Sequence, residues 1–381
     1  MKKTIYYWSP CLNKVGTVIS TKNSAISIAK YKKNQFSAKL INACGEWDEY
    51  KTDLVKYGVD VIDLNIKYFR YLPKTGYIPS RLSYFIIFIF SFFPLLFLLK
   101  KEKPDFIIIH LITSLPLFLL KLFSFNTKFI LRISGYPKLN TIRKFFWKNV
   151  ANKLYKITCP TEELLSKLTV SKIFPDKKIC FLQDAIINLD NFQSSQMIDY
   201  KNYGIKNKKV ILAVGRLTAQ KNFSYLISEF SSFLRKNDNY VLVILGDGEE
   251  KNNLMKIVEK NKLSKHVYLL GKVNNVYDFM KSSDVFVLSS LWEELGFVIA
   301  EAALNNLFII SSDCPNGPKE FLNNGKNGII YESNKKNSLV YALNKYTEMN
   351  NHFEKILNAK KNSRKYTKFN HHKTLVNSIL N

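Results

Sequence analysis

The sequence predicts an α/β chain built from two parallel-sheet halves, and three observations carry that prediction. Short apolar runs alternate with helical patterns: "DFIIIH" (105–110), "KFILRIS" (128–134), "KITCP" (156–160), "KKVILAVG" (208–215), "YVLVILG" (240–246), "HVYLLG" (266–271), "DVFVLSS" (284–290) and "LFIISS" (307–312). Apolar runs closed by glycine or polar residues are the signature of strands covered by helices on both faces. The 381 residues suffice for two cores. Between 187 and 207 the text turns polar and reads as a connector. The expected domains are therefore two Rossmann-like halves, 1–190 and 208–360, joined by a linker at 191–207 and facing across a ligand cleft. A C-terminal helix over 361–381 returns, in this reading, to the first half.

Taken in order, the N-terminus begins with two lysines, but "TIYYWSPCLNK" is too broken for the apolar core of a signal peptide. "KYFRYLPKTGYIPSR" (67–81) sets Lys67, Arg70, Lys74 and Arg81 among aromatic residues, which suits an anionic lipid surface. The 18 residues from Leu82 to Leu99 then carry no charge, and Pro94 lies among them. That length barely reaches a membrane span. The strand expected at 103–110 follows at once, so docking in the interface is the favoured reading over crossing or simple burial.

The formal net charge is +27, with +17 in residues 1–190 and +10 in residues 191–381. Only seven of the 57 basic residues are arginine. Base-edge reading of nucleic acid leans on arginine forks, and no recognition motif accompanies the charge. A lysine excess suits an anionic membrane, weak polyanion contact, or a composition that simply favours lysine. The five cysteines are scattered without C-x-x-C spacing, against a disulfide framework or zinc site and in keeping with a reducing cytosol.

Sheets of this kind bind ligands at the carboxyl ends of their strands. There "GRLTAQKN" (215–222) places Gly215, Arg216 and Lys221, a turn and two cations fit to cradle a diphosphate. "GDGEE" at Gly246 and "GKVNN" at Gly271 add two more glycine turns, as though something bound closely over the backbone. Next comes "SSLWEELGFVIAEAA" (289–303), with a helix expected near Gly296. Glu293 falls in the loop, where it accepts from sugar hydroxyls, and Glu301 falls inside the helix, suited to a ribose diol. Glu294 reads as a solvated acid at a helix start.

Glu293 and Glu301, with seven residues between them, resemble the E-x7-E motif of the GT4-type retaining glycosyltransferases of the GT-B fold. "AVGRLTAQKNF", "LVILGDGEE", "YLLGKV" and "SSDCPNGPKEFLNNGKNGIIY" fall in that family's order, so the resemblance covers 208–335 strongly and the first half more loosely. It implies that Arg216 and Lys221 neutralise the donor diphosphate and that Glu301 holds the ribose. Glu293 would lie at the donor sugar, and the backbone of Lys272 and Val273 at the base. Gly296, Phe297, Val298, Gly317 and Glu320 would line the donor. "NGPKE" departs from the commoner glycine-pair form, which bears on Glu320. In the first half, the resemblance implies Gly16 near the donor phosphate and His110 near the acceptor hydroxyl, with Arg132 on the acceptor side.

The expectation is thus a metal-independent, cofactor-free transferase. It would move a hexose or N-acetylhexosamine from a nucleotide-sugar donor, UDP-linked ahead of GDP-mannose, with retention. The acceptor would be a polyprenyl-diphosphate glycan at the anionic inner membrane surface, with the protein peripheral on its cytoplasmic side. No D-x-D pair occurs for a divalent metal, and no Walker sequence occurs either. The rivals are a UDP-sugar epimerase or hydrolase on the same fold, and a non-catalytic membrane- or polyanion-binding protein.

Overall fold

The computed structural model describes residues 2–12, 16–64, 67–73, 77–110, 115–137, 139–293 and 296–380. The chain divides into two compact units, Met1–Ile186 with Tyr366–Asn381, and Ile187–Lys365.

The first unit runs β1 (Lys3–Trp8), α1 (Gly16–Tyr31), β2 (Phe36–Asn42), α2 (Lys51–Lys56), β3 (Asp60–Asp63), α3 (Tyr77–Glu102), β4 (Phe106–Ile109) and α4 (Leu115–Leu122). It continues through β5 (Lys128–Arg132), α5 (Thr141–Ala151), β6 (Lys156–Cys159), α6 (Glu162–Val170) and β7 (Ile179–Phe181). Its strands form one sheet in the order β3-β2-β1-β4-β5-β6-β7, every pairing parallel. Alternation decides which face each side chain serves. Ile107 and Ile109 of β4 enter the core under α3 to α6, while Phe106 and Ile108 enter the core under α1.

The second unit runs α7 (Leu189–Ser194), β8 (Lys209–Val214), α8 (Phe223–Leu234), β9 (Tyr240–Leu245), α9 (Lys251–Lys260), β10 (Val267–Gly271), α10 (Val276–Lys281) and β11 (Val285–Leu288). Then follow α11 (Phe297–Leu304), β12 (Phe308–Ser312), α12 (Pro318–Phe321), β13 (Ile329–Tyr331), α13 (Ser338–Glu348) and α14 (Phe353–Ser363). Its sheet has the order β10-β9-β8-β11-β12-β13, again all parallel. Both orders reverse direction once, at β1/β4 and at β8/β11, and such switch points open crevices at the carboxyl ends of the strands.

The eight apolar runs are all strands. Sequence reading left β1, β2, β3, β7 and β13 unnamed, because these are short or carry charge: β3 is "DVID" on the sheet edge. Residues 187–207, read as the end of one domain and a linker, instead pack on α10. Gln196 N–H donates to Asp278 Oδ1 at 2.8 Å, and Lys281 Nζ donates to the Ser195 carbonyl at 2.7 Å. A polar segment looks like a linker whenever its partners lie far along the chain.

The last segment belongs to the first unit. Ile186 N–H donates to the Tyr366 carbonyl at 2.9 Å, so the two crossings of the chain are tied together. Helix α15 (Lys368–Leu375) then places His371 against α1. His371 Nδ1 faces the Gln183 carbonyl at 2.5 Å and Nε2 faces Ser24 Oγ at 2.7 Å. A carbonyl only accepts, so Nδ1 carries the proton and Nε2 accepts from Ser24. Burial lowers the His371 pKa to about 4, which keeps this chain of bonds neutral.

Candidate active site

The switch point β8/β11 gathers the second unit's chemistry. After β8, Gly215 turns the chain and Arg216 stands exposed, with no described carboxylate paired to it. A short turn, Ala219–Lys221, brings the Lys221 stem back beneath Gly215, where a Cβ would lie 3.1 Å from Lys221 Cε. Gly215 is therefore the space that lets the lysine fold inward.

Lys221 Nζ meets Glu293 Oε1 directly, in the loop after β11. Ser290 Oγ donates to the same oxygen at 2.5 Å. Ser289 Oγ donates to the Lys221 carbonyl at 2.7 Å, and Ser312 Oγ donates to the Ser290 carbonyl at 2.7 Å, so three serines at strand ends fix this loop. Glu293 is buried, and Oε2 has no partner among the described residues. Beside it, burial and the Glu293 charge push the Cys314 thiol up to about 12, so this cysteine is no nucleophile.

Glu301, one helix along, does not join that pair. Its Oε1 accepts from Tyr277 Oη at 3.3 Å, and burial raises its pKa to about 7. Tyr277 is set by the Asn275 cap, whose Oδ1 accepts from Tyr277 N–H at 3.2 Å. Half-buried, with one weak donor among the described residues, Glu301 is under-satisfied for a carboxylate, as a group awaiting hydroxyl donors would be. Gly296, at φ 73°, starts α11 beside Glu293, and a Cβ there would sit 3.7 Å from Glu293 Cγ. Phe297 and Val298 are half-buried in its first turn, and Glu320 is half-buried in α12 just after Gly317. Lys272 is exposed and Val273 half-buried beyond β10.

The glycine turns have another cause than the one expected. A Cβ on Gly246, at φ 146°, would lie 1.8 Å from the Gly215 carbonyl oxygen, and one on Gly248 would lie 2.4 Å from that of Leu217. The close neighbour is the adjacent βα loop of the protein itself. Gly271 meets nothing within 4 Å and owes its place to φ 74°.

Residues 197–366 match the model of the family described as glycosyl transferases group 1. The match falls almost wholly in the second unit and spans under half of the chain. The chain is 34% identical over 249 residues to an uncharacterised glycosyltransferase of Methanocaldococcus jannaschii, covering 60% of the chain and 61% of that protein. It is 30% identical over 261 residues to the UDP-Gal:alpha-D-GlcNAc-diphosphoundecaprenol alpha-1,3-galactosyltransferase of Escherichia coli, covering 62% and 65%. The match thus spans under two thirds of either relative. A glycosyltransferase structure from Rickettsia africae superposes with a TM-score of 0.78 at 16% identity, over 98% of this chain and 97% of that one. At that identity the likeness shows the fold, two Rossmann-like sheets of GT-B type.

In the first unit, His110 follows β4 at the β1/β4 switch, its N–H donating to the Trp8 carbonyl at 2.8 Å. The imidazole is buried, and neither ring nitrogen has a partner among the described residues. Burial first, then the charge of Arg132, lowers its pKa to about 3, so it is neutral at ordinary pH. Arg132, expected on the acceptor or membrane side, is instead internal. Its Nη2 donates to Asp184 Oδ1 at 2.6 Å and its Nη1 to the Leu182 carbonyl at 2.5 Å, and the buried side chain does not face a lipid surface. Ser20 Oγ donates to the same Asp184 oxygen at 2.5 Å.

Gly16 is exposed at the start of α1, and Arg81 is exposed on α3. Lys67 and Arg70 lie in the turn Lys67–Tyr71 with only their backbone described, and Lys74 and Glu294 lie outside the described residues. Sequence reasoning missed Ser290, Tyr277 and Asp184. The serine pair closing β11 was the one available signal.

Proposed function

We propose that the protein transfers a sugar, a hexose or N-acetylhexosamine, from a UDP-linked donor to a hydroxyl of a lipid-linked glycan, with retention and without a metal. The observation that carries this reading is the Lys221–Glu293–Ser290 cluster beside the exposed Arg216 at the β8/β11 switch. A diphosphate placed there meets two cations, and Lys221 keeps two N–H donors beyond the one given to Glu293. Glu293 Oε2 is left to accept a sugar hydroxyl, and the half-buried Glu301 gains the ribose diol. The E. coli relative's name, with its UDP-galactose donor and diphosphoundecaprenol-linked acceptor, supports both ends of the reading.

In the transfer, the bond between the anomeric carbon and the diphosphate oxygen breaks with its electron pair going to the phosphate. Arg216 and Lys221 stabilise the charge that develops there. Glu293 faces the positive charge left on the sugar. The acceptor oxygen bonds to the anomeric carbon on the face the diphosphate leaves, and its proton passes to a departing phosphate oxygen. His110, neutral and a very weak base at a pKa of about 3, positions the acceptor rather than deprotonating it.

The test is a panel of nucleotide sugars with membrane lipid extract, scored by UDP release and by the anomeric configuration of the product. Release that requires lipid, gives an α-product from an α-donor and survives chelator supports the reading. Release or epimerisation without any acceptor supports the epimerase or hydrolase instead, and no consumption of any donor ends both.

A further inference from the structure

Helix α3 has two apolar faces, and among the described residues only one of them is buried against protein. Ile87, Leu95 and Leu99 pack into the core below it. On the other side Leu82, Phe85, Ile89, Phe90, Phe93 and Phe97 fall on one helical face, and the four phenylalanines are each 60–65% exposed. At 1.5 Å per residue this stripe runs about 22 Å along the helix. Arg81 stands at one end, and Lys100 and Lys101, both exposed, at the other.

The layer continues sideways. Phe118 of α4 meets Phe88 and Phe92 of α3 at 5.8 and 6.3 Å, and Phe146 of α5 at 6.4 Å. Helix α5 exposes Ile142 and Phe145 together with Lys144 and Lys148. From 77 to 151 the sequence holds eleven basic and two acidic residues. Beside Phe97, an open groove of about 580 Å³ is walled by Ile62, Leu64, Pro94 and Leu98, with Lys100 and Lys101 at its rim. Its one acid, Asp63, is already held by Lys51 at 2.7 Å and Asn42 at 2.5 Å.

We propose that this face docks on an anionic lipid leaflet. Helix α3 lies along the headgroup layer, its phenylalanines dip into the acyl boundary, and the groove seats a lipid chain whose phosphate meets Lys100 and Lys101. An apolar stripe bounded by cations fits that surface, and neither lysine has a described carboxylate partner to satisfy instead. Although α3 is long and apolar enough to cross a membrane, its inner face is part of the first unit's core. Crossing would strip Ile87, Leu95 and Leu99 from it. The surface gives the proposed lipid-linked acceptor a place to be met, yet its evidence is independent of the reaction.

The experiment is vesicle flotation of the full chain, without nucleotide sugar, on phosphatidylcholine alone and mixed with phosphatidylglycerol. Wild type is expected to float with the mixed vesicles and not with the neutral ones. Phe85→Ser/Phe93→Ser/Phe97→Ser should lower that binding by about tenfold or more, and Lys100→Glu/Lys101→Glu several-fold with a flatter salt dependence. These side chains are exposed, so UDP binding and thermal unfolding serve as controls that the variants fold. Wild type failing to float, or the phenylalanine variant floating equally well, overturns the proposal. So does a concentration-dependent dimer that the same variant dissolves without any flotation, since the stripe would then face a second copy. Cell membranes that retain the protein through alkaline carbonate would show a span rather than a docked helix. UDP release in a detergent-solubilised assay reads the transferase separately.

Discussion

Lys221 and Glu293 stand 72 residues apart in sequence and share a salt bridge at the carboxyl ends of β8 and β11. Both are largely shielded from water, so each depends on the other. Replacing Lys221 by Ala leaves a buried carboxylate without its cation and should destabilise the second unit by about 3 kcal/mol in urea unfolding. The double variant Lys221→Met/Glu293→Gln should recover most of that stability. Neither should recover turnover, which should fall about 10²-fold to 10³-fold in UDP release. A double variant with near-wild-type turnover would remove the pair from the chemistry.

Glu301 gives a pH dependence of donor binding. Its pKa, raised to about 7 by burial, lies above the unfolded value, so the folded state holds an extra proton between roughly pH 4.5 and 7. Folding stability therefore declines as pH rises through that window. Ribose hydroxyls donate to the ionised form, so UDP should bind more tightly at pH 8 than at pH 6, by about threefold to tenfold in calorimetry. Glu301→Gln should flatten the profile. A wild-type affinity independent of pH would sink this assignment.

His110 and His371 predict acid sensitivity of the first unit. Both pKa values are depressed, to about 3 and about 4, and the groups facing them are Arg132 and Asp184. A depressed histidine keeps its full stability above the unfolded value near 6.5 and loses it as pH falls. Each should account for about 2 kcal/mol lost between pH 7 and pH 5. His371→Asn, which retains a donor and an acceptor, should reduce the difference between urea midpoints at the two pH values. An unchanged difference would mean that the imidazole does not titrate on unfolding.

Two glycines separate crowding from backbone angle. Gly246→Ala drives a methyl into the Gly215 carbonyl and should cost about 3 kcal/mol or more, with loss of UDP binding. Gly271→Ala has open space and only a left-handed angle to bear, so about 1–2 kcal/mol is expected. Equal costs at the two positions would refute the close approach at Gly246.

How much of this was legible in the sequence follows from the range of the forces involved. Eight of the thirteen described strands announce themselves as apolar runs, since burial on two faces is written locally, while the short or charged ones such as β3 do not. Arg216, Lys221, Glu293 and Glu301 sit at strand ends and helix starts, so their spacing gave their places. Ser290 on Glu293, Tyr277 on Glu301 and Arg132 on Asp184 did not show, because each pair is made by folding and separated by other elements or by a turn. Arg132 was misplaced for that reason: an arginine closing a strand looks available until its carboxylate arrives 52 residues later. The extent of α3 was legible, but the division of its two apolar faces between protein and solvent was not.

The return of residues 366–381 to the first unit sets an order of assembly during synthesis. Everything from Ile187 to Lys365 leaves the ribosome before the segment carrying His371. The second unit, continuous in sequence, has all its parts in hand while the first still lacks the imidazole that holds Ser24 and the Gln183 carbonyl. The first unit starts earlier and is completed last.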